Sequence, residues 1–286
     1  MPQAVPTYTL LDFGNEQRLE QWGDVRLIRP DPHAHGLPVS PELWKDASAM
    51  YEGASGRGEW RIFCDMPEAW LIHLQEIMLK VKLAPYKHTG VFPEQHRNWQ
   101  WMRQRAAAQK RPLSILNLFA YTGGASVALA KDGHSVTHVD SSRPAIGWAK
   151  ENAALNGVDG EIRWILEDAP LFASKELKRG KRYDAILLDP PAYGHGPSGK
   201  AWRAERDTRP LLETCALLLS DHPVFLLLNS YARHDTSADL RTLIHGILLK
   251  KLRRKHCKVD AQELLLFAQD GRSLSTGITV RVDCSA

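Results

Sequence analysis

Acidic residues and a glycine follow several short apolar segments of this chain, where they could bind a small polar ligand. Three such segments end in Asp140, in Glu167 with Asp168, and in Asp189, and a fourth is followed by Gly123. Carboxylates accept hydrogen bonds from hydroxyl and amino groups. Glycine lets the backbone approach a ligand closely. This pattern indicates a ligand that carries hydroxyl and amino groups.

The elements that must position these residues are strands and helices that alternate from about residue 111. The predicted strands are 114–119, 135–140, 162–167, 183–189 and 224–229, with helices at 125–131 and 144–155. Apolar strands that alternate with helices indicate a parallel sheet covered on both faces. Two later apolar segments, 263–267 and 277–282, flank Asp270-Gly271, which is a hairpin signal. We therefore predict a doubly wound α/β fold with a seven-stranded, mostly parallel sheet and an antiparallel C-terminal hairpin.

The N-terminal part has a different character. Alternating segments at 25–29 and 59–64 are separated by a Pro/His/Gly stretch at 30–41 and a glycine-rich stretch at 53–58. We predict a small β-rich domain over residues 1–83 and a Rossmann-like domain over residues 84–286.

Composition sets the class of protein but not its partner. The 286 residues include 37 Lys and Arg against 33 Asp and Glu, a net charge of +4, and 43% are hydrophobic, as in a globular protein. The four cysteines form no Cys-x-x-Cys pair, which argues against a structural zinc site and a disulfide framework. The twelve histidines show no ligand spacing. We expect no metal, no membrane span, no signal peptide and a cytoplasmic location.

The glycines after the first strand separate two classes of ligand. An acidic residue at the end of the second strand, here Asp140, can accept hydrogen bonds from both hydroxyls of a ribose. A pyrophosphate would need a Gly-x-Gly-x-x-Gly turn, which the segment 119–124 lacks. A ligand with ribose, adenine and an ammonium group but no phosphate fits better, and S-adenosylmethionine is such a ligand. An NAD(P)-dependent oxidoreductase is the alternative.

The turn after the fourth strand can receive an amino group. Pro190 and Pro191 have no N–H, so the turn can present the carboxylate of Asp189 and backbone carbonyls without competing donors. Tyr193 adds a ring on which a planar base can stack. We predict that Asp189, Pro191 and Tyr193 direct the lone pair of an amino group at a sulfonium methyl.

Several motifs together resemble class I S-adenosylmethionine-dependent methyltransferases, in the branch of the bacterial large-subunit ribosomal RNA methyltransferases. The motifs are Asn-Leu-Phe-Ala-Tyr-Thr-Gly-Gly at 117–124, Val-Asp at 139–140, the segment 148–157, and Leu-Asp-Pro-Pro at 188–191. The segment 88–95 resembles the part of that branch that precedes the sheet and folds over the methionine end of the cofactor. The resemblance covers about residues 86–230.

The resemblance implies a set of residues that bind S-adenosylmethionine. The methionine moiety would contact the turn around Asn117, Phe119, Ala120, Tyr121, Thr122 and Gly123, and the site would be closed by Phe92, Pro93 and Gln95. The ribose would be held by Asp140 with Ser141, and the adenine would face Glu167 and Asp168. Asp189 would lie at the transferred methyl.

One departure from the branch bears on the acceptor atom. Members that methylate cytosine at C5 use a cysteine thiolate in or after the fourth or fifth strand, but segments 191–193 and 228–231 contain no cysteine. Cys215 lies in the helix between them and is predicted to be a buried hydrophobic residue. We therefore predict transfer to a base nitrogen, with cytosine C5 as the alternative.

Three groups of basic residues indicate the partner. They are the run 250–258, the run 178–182, and the set Arg97, Arg103, Arg105, Lys110 and Arg111. If several face Tyr193, they would hold a phosphate backbone while a base enters the site. We predict RNA, and specifically ribosomal RNA, as the substrate. A non-catalytic RNA-binding module, and a protein or small-molecule substrate, remain alternatives, and no oligomeric state is predicted.

Overall fold

The computed structural model describes residues 7–54, 57–195, 201–232, 235–251 and 257–285. The chain forms two compact units. Unit 1 comprises Met1–His96 with Leu265–Thr276, and unit 2 comprises Arg97–Leu264 with Gly277–Ala286. Unit 1 thus extends past residue 83 and includes the tip of the C-terminal hairpin. The division into domains at residues 83 and 84 stays a prediction.

Unit 1 is rich in β-strands, as the alternating segments predict. Its strands are β1 (Tyr8–Gly14), β2 (Gln17–Trp22), β3 (Val25–Pro30), β4 (Ala49–Ala54), β5 (Arg57–Ile62), β6 (Trp70–Leu74) and β7 (Ile77–Val81), with the short helix α1 (Pro41–Trp44) between β3 and β4. The first five form one sheet in chain order, and β6 and β7 form a separate antiparallel pair. All neighbours in the larger sheet are antiparallel except β3 and β4.

The C-terminal hairpin contributes to the core of unit 1. Leu266, Ala268 and Leu274 pack with Leu10 and Phe13 of β1, and all five residues are buried. This burial explains why the hairpin tip belongs to the N-terminal unit although it lies far along the chain.

Unit 2 contains the predicted seven-stranded sheet. The helix α2 (His96–Ala107) begins at the boundary between the units, and the elements that follow are β8 (Ser114–Leu118), α3 (Gly124–Lys131), β9 (Ser135–Asp140), α4 (Arg143–Leu155), β10 (Ile162–Leu166), α5 (Ala169–Lys178), β11 (Ala185–Leu188), β12 (Tyr193–His195), β13 (Ala201–Arg203), α6 (Ala204–Leu218), β14 (Phe225–Ser230), α7 (Ser237–Lys251), β15 (Lys258–Phe267) and β16 (Ser273–Asp283).

The strand order of this sheet confirms the predicted topology. The order is β10-β9-β8-β11-β14-β16-β15. The five strands from β10 to β14 are parallel neighbours, and β16 is antiparallel to β14. The chain order reverses between β8 and β11, which makes this pair the switch point, where open α/β sheets bind ligands.

The sheet core explains the apolar strands. All residues of β11 and β14 are buried. Alternate residues of each strand, such as Ile186 and Leu226, belong to the core cluster that also contains Phe172 of α5 and Leu212 and Cys215 of α6. The polar residues buried in β8 and β14 include two asparagines, Asn117 in β8 and Asn229 in β14. They carry polar groups toward the strand ends.

The expectation that the cysteines form no disulfide is wrong for one pair. Cys257, just before β15, and Cys284, just after β16, are joined by a disulfide with a Cα–Cα distance of 4.4 Å. The hairpin fold brings its two ends together, which the spacing of the cysteines along the sequence does not reveal. Cys64 is exposed and free, and Cys215 is buried and free.

Candidate functional site

The carboxyl ends of β8, β9 and β11 meet at the switch point. Leu118 of β8 is the register partner of Leu188 in β11 and of Val139 in β9. The residues that follow these strands are therefore neighbours, and the amide N–H of Asp189 donates to the carbonyl of Leu118 at 3.3 Å. The predicted cofactor turn and the Asp-Pro-Pro turn lie side by side.

The turn after β8 has an unusual backbone. Phe119 and Tyr121 have φ values of 57° and 48°, in the left-handed region that non-glycine residues rarely occupy, and Gly123 has a φ of 87°. The Ala120 N–H donates to the carbonyl of Val139 at 3.1 Å, and the Gly123 N–H donates to the carbonyl of Ala120 at 3.0 Å. Strained turns of this kind are concentrated at ligand sites.

The start of α3 requires a glycine. A Cβ atom on Gly124 would lie 2.4 Å from the ring of Trp99 in α2. The indole ring thus fixes the distance between α2 and the first turn of α3. This contact positions the N-terminus of α3 behind the cofactor turn.

Asp140 links the turn to β9. Its Oδ2 accepts from the N–H of Tyr121 at 2.8 Å, and its Oδ1 accepts from the N–H of Ser142 at 2.8 Å. Burial raises the pKa of this carboxyl, and backbone hydrogen bonds from Ser142, Tyr121 and Ser141 lower it. The two oxygens have four lone pairs and accept three backbone N–H groups, so the carboxylate is held in one orientation and can still accept from a hydroxyl.

A buried polar network supports the turn from behind. Asn117 Nδ2 donates to Ser126 Oγ at 2.9 Å, and that hydroxyl contacts His138 Nδ1 at 3.0 Å. Burial lowers the pKa of His138 to about 3, so the imidazole is neutral at neutral pH. Asn152 Nδ2 donates to the carbonyl of Thr122 at 2.9 Å. The side chain of Asn117 therefore belongs to the hydrogen-bond network that supports the turn.

The acidic residues after β10 have structural partners. Asp168 caps α5, its Oδ1 accepting from the N–H of Leu171 at 3.0 Å, and Glu167 pairs with Lys175. Asp168 also lines a cavity of about 160 Å³ together with Trp202. Of the two predicted adenine contacts, Asp168 thus lies at a cavity and Glu167 in an ion pair.

Asp189 is held by donors from β14 and the residues after it. Asn229 Nδ2 donates to Asp189 Oδ1 at 3.0 Å. Burial raises the pKa of Asp189 to about 6, although hydrogen bonds from the side chains of Asn229 and Tyr231 lower it. The carboxyl therefore ionises near neutral pH, as a group that accepts a proton from an amine should.

The expectation that no donor competes for the carbonyls of the turn is wrong for Pro191. The indole Nε1 of Trp202, in β13, donates to the carbonyl oxygen of Pro191 at 2.7 Å. The ring of Trp202 also lies 4.8 Å from that of Phe119, between centroids. Trp202 therefore joins the turns after β8 and β11 and occupies one lone pair of the Pro191 carbonyl.

Tyr193 lies at the surface, and the residue before it, Ala192, lines a cavity. Tyr193 is 53% exposed and stands opposite Arg203 in the β12–β13 hairpin. The cavity has a volume of about 370 Å³, within the range of small-molecule sites. Its lining includes Pro190, Ala192, Thr208, Arg209, Asn229 and Tyr231.

The predicted closing residues belong to unit 1. Pro93 and Gln95 are buried in a short 3-10 turn, and the ring of half-buried Phe92 packs edge-on against His88 at 5.3 Å. Their contact with a cofactor stays a prediction.

The predicted basic groups differ in how they are used. Arg103 pairs with Asp132, Arg105 with Asp283 and Arg111 with Asp184. These three cations are neutralised within unit 2, which weakens their predicted role in binding RNA. In the run 178–182, Arg179 pairs with Glu176. The run 250–258 lies mostly outside the described residues.

The described residues exclude two kinds of site. Within the described ranges, no cluster of three or more His, Cys, Asp or Glu side chains is placed to hold a metal ion. The helices of those same ranges include none long and apolar enough to cross a bilayer. Burial raises the pKa of the Cys215 thiol.

Sequence reasoning missed Trp202, Asn98 and the role of Asn229. Asn229 carries a signal, since it is an amide in an otherwise apolar strand. Trp202 and Asn98 carry none, because their contacts depend on how β13 and α2 pack against the sheet.

The chain is similar to known methyltransferases. The family described as S-adenosylmethionine-dependent methyltransferase matches residues 51–229. The Ribosomal RNA large subunit methyltransferase K/L of Stutzerimonas stutzeri is 33% identical over 198 residues, covering 68% of this chain and 25% of that protein. The chain thus spans about a quarter of the length of such curated relatives.

Solved structures agree with this match. The SAM-dependent methyltransferase from Agrobacterium tumefaciens has a TM-score of 0.90 and 36% identity, covering 98% of this chain and 91% of its own. The methyltransferase SMU.776, complexed with SAH, has a TM-score of 0.75 and 18% identity, covering 97% of this chain and 75% of its own. The second likeness concerns the fold alone.

Proposed function

Since the chain belongs to the S-adenosylmethionine-dependent methyltransferase family, we propose that it methylates a base nitrogen of RNA, with ribosomal RNA as the substrate. One observation carries this proposal: the carboxyl of Asp189, whose pKa burial raises to about 6, follows β11 and lies beside the turn after β8. The family membership makes the protein an enzyme with S-adenosylmethionine as cofactor, and it replaces the NAD(P)-dependent alternative.

The residues at the switch point fit this cofactor. Asp140 presents an oriented carboxylate to a ribose, and the turn 119–123 lacks the glycine spacing that a pyrophosphate needs. We assign the ribose to Asp140 with Ser141, the methionine moiety to the turn 119–123, and the adenine side to Asp168. When bound, the cofactor would supply an electrophilic methyl group on a sulfonium, whose sulfur leaves as a neutral thioether when the S–CH₃ bond breaks.

Asp189 has two tasks in this scheme. Its carboxylate accepts a hydrogen bond from the amino group of the base and so directs the nitrogen lone pair toward the methyl. After the N–C bond forms, the nitrogen carries an extra proton, which a carboxylate with a pKa of about 6 can accept at neutral pH. Tyr193 would stack on the base, and the carbonyl of Pro191 contributes its remaining lone pair.

Surface charge next to Tyr193 supports an RNA substrate. Arg203, at the end of β13, and Arg206, in the first turn of α6, are both exposed. Arg203 is the register partner of Tyr193. A stacking ring flanked by arginines is suited to a base and its phosphates. The name of the K/L relatives points to ribosomal RNA, a substrate that would place the protein in the cytoplasm.

The cysteines favour nitrogen over cytosine C5 as the acceptor. All four lie within the described residues: Cys257 and Cys284 are in a disulfide, Cys215 is fully buried, and Cys64 is in unit 1. Unit 2 therefore offers no accessible thiol that could add to a cytosine ring.

The test compares RNA modifications in cells that lack this protein with those in complemented cells. The gene for the wild-type chain should restore one methylated nucleoside, measured by mass spectrometry of ribosomal RNA, and Asp189→Ala should not. Asp159→Ala, at an exposed position of a short turn, is the control and should restore the mark. An unchanged set of methylated nucleosides in cells without the protein would reject an RNA substrate.

A further inference from the structure

A series of polar side chains, joined by hydrogen bonds, leads to Asp189. Arg281 of β16 donates to Asn98 Oδ1 from Nε at 3.0 Å and from Nη2 at 2.8 Å. Asn98 Nδ2, in α2, donates to Asn229 Oδ1 of β14 at 3.1 Å. Asn229 Nδ2 donates to Asp189 Oδ1 at 3.0 Å. This hydrogen-bonded series connects α2, β14 and β16 to the carboxylate of Asp189.

The direction of these hydrogen bonds is fixed by the arginine. A guanidinium has donors and no acceptor, so the atom of Asn98 that faces Arg281 must be its carbonyl oxygen. The amide nitrogen of Asn98 then faces Asn229, which must present its own oxygen in return. Consequently the NH₂ group of Asn229, and not its oxygen, faces Asp189.

Because these side chains are buried, reversing the direction of their hydrogen bonds would cost free energy. Asn98 is 0% exposed and Asn229 is 2% exposed. Buried amides lose stabilisation when a donor faces a donor or an acceptor faces an acceptor. The strands around them are apolar, so hydrophobic side chains would satisfy packing alone.

We propose that Arg281, Asn98 and Asn229 are positioning residues that keep an N–H donor on Oδ1 of Asp189 and so orient the carboxylate that receives the proton of the acceptor nitrogen. This inference rests on the proposed function, because it assigns Asp189 to the acceptor. It adds residues from α2 and β16 that never touch the substrate.

The proposal has a consequence for proton transfer. Because the side chains of Asn229 and Tyr231 both donate to Asp189, they favour its carboxylate form, which is the form that accepts a proton. Burial disfavours this charged form and raises the pKa. Methyl transfer should therefore decline as the pH falls through the pKa of Asp189, about 6.

Asn98→Asp should reverse the donor-to-acceptor direction of the hydrogen bonds at Asn229 while it retains an acceptor for Arg281. A carboxylate at position 98 has no N–H to offer, so the Asn229 amide turns its NH₂ group toward it and its oxygen toward Asp189. An acceptor then faces the carboxylate, which raises the pKa of Asp189. Asn229→Leu removes the donor without adding a charge and serves if the first variant does not fold.

The experiment measures the Asp189 titration directly, by ¹³C NMR of carboxyl-labelled full-length protein, with Asp189→Asn to assign the signal. Asn98→Asp and Asn229→Leu should both titrate at higher pH than the wild type. Asn15→Asp, the same chemical change at an exposed turn of unit 1, is the matched control and should match the wild type. The pH dependence of methyl transfer should move with the titration, and kcat at neutral pH should fall roughly 10- to 100-fold.

The outcomes separate the two proposals. An unchanged Asp189 titration in both variants would overturn the positioning role, whatever the substrate is. A shifted titration in a protein that methylates no RNA would retain the positioning of Asp189 and reject the proposed substrate. Lower activity with an unchanged titration would assign these amides a structural role only.

Discussion

Gly124 shows how one atom at the start of α3 controls the site. Its Cα lies against the indole of Trp99. The cofactor turn, which precedes it in the sequence, donates to Asp140 through the N–H of Tyr121. The identity of residue 124 therefore affects both packing and the geometry of the cofactor turn.

Gly124→Ala should destabilise the protein and weaken cofactor binding. The new methyl group would lie 2.4 Å from the Trp99 ring, so the backbone or the ring must move, at a cost of about 1–3 kcal/mol. Urea unfolding measures the loss, and calorimetric titration with S-adenosylmethionine measures affinity. Gly147→Ala is the control, because this helical glycine has no atom within 4 Å of its Cβ position. It should stabilise the protein by up to about 1 kcal/mol, and an equal effect of both substitutions would contradict the role of Trp99.

At the scale of elements, β2 and β3 are joined by a buried ion pair. Arg29 Nη2 donates to Glu20 Oε1 at 2.8 Å, and both side chains are almost fully buried. Burial alone would raise the pKa of Glu20, but the charges of Arg18 and Arg29 lower it to about 2. The sheet of unit 1 therefore depends on an ionised glutamate.

This ion pair predicts how the free energy of unfolding decreases at acidic pH. Because the folded pKa is below the ordinary value of 4.5, Glu20 stabilises the fold fully above about pH 4.5 and loses this contribution as the pH falls toward 2. Glu20→Gln should cost about 3 kcal/mol at neutral pH, since Arg29 stays buried without a partner charge. It should also flatten the pH dependence between 4.5 and 2. Urea unfolding at a series of pH values tests this, with exposed Glu59→Gln as the control.

The C-terminal hairpin predicts a redox effect on stability. The disulfide between Cys257 and Cys284 closes a segment with a sequence separation of 27, and breaking it should cost about 3–4 kcal/mol. Thermal unfolding with and without a reductant should show a lower Tm in the reduced protein, and Cys257→Ser should lower the Tm similarly. Cys64→Ser, at an exposed free thiol, should have no effect. Equal Tm values for reduced and oxidised protein would argue that the bond does not form.

At the scale of the whole molecule, charge acts through its placement. The net charge of +4 is small, and three arginines of the predicted basic set are paired with carboxylates. Arg203 is exposed opposite Tyr193, and the nearby Arg206 is exposed but pairs with Asp207. RNA binding should therefore depend on a few cations near the acceptor site.

Replacing both Arg203 and Arg206 by alanine should weaken RNA binding and reduce its salt dependence. Each lost phosphate contact lowers the slope of log K against log salt by about one. Binding of a ribosomal RNA fragment, measured between low and physiological salt, gives the slope. The affinity for S-adenosylmethionine should not change, and an unchanged slope would exclude these arginines from the RNA interface.

The amino-acid sequence by itself determined the sheet and the positions at its strand ends. Apolar runs define β8 to β11 and β14 because strands buried on both faces admit few polar residues. The acidic residues after them, such as Asp140 and Asp189, mark the ligand edge because parallel strands end together. The family motifs lie in these same short segments, so local sequence was sufficient to recognise them.

Only the tertiary structure decided which groups act on these residues. The indole of Trp202 on the Pro191 carbonyl, the amides of Asn98 and Asn229 behind Asp189, and the disulfide of Cys257 join segments far apart in sequence. Such contacts depend on how α2, β13 and the C-terminal hairpin pack, and packing leaves no periodic signal in the chain. The sequence thus located the reacting edge, and the fold determined the orientation and the proton affinity of the groups on it.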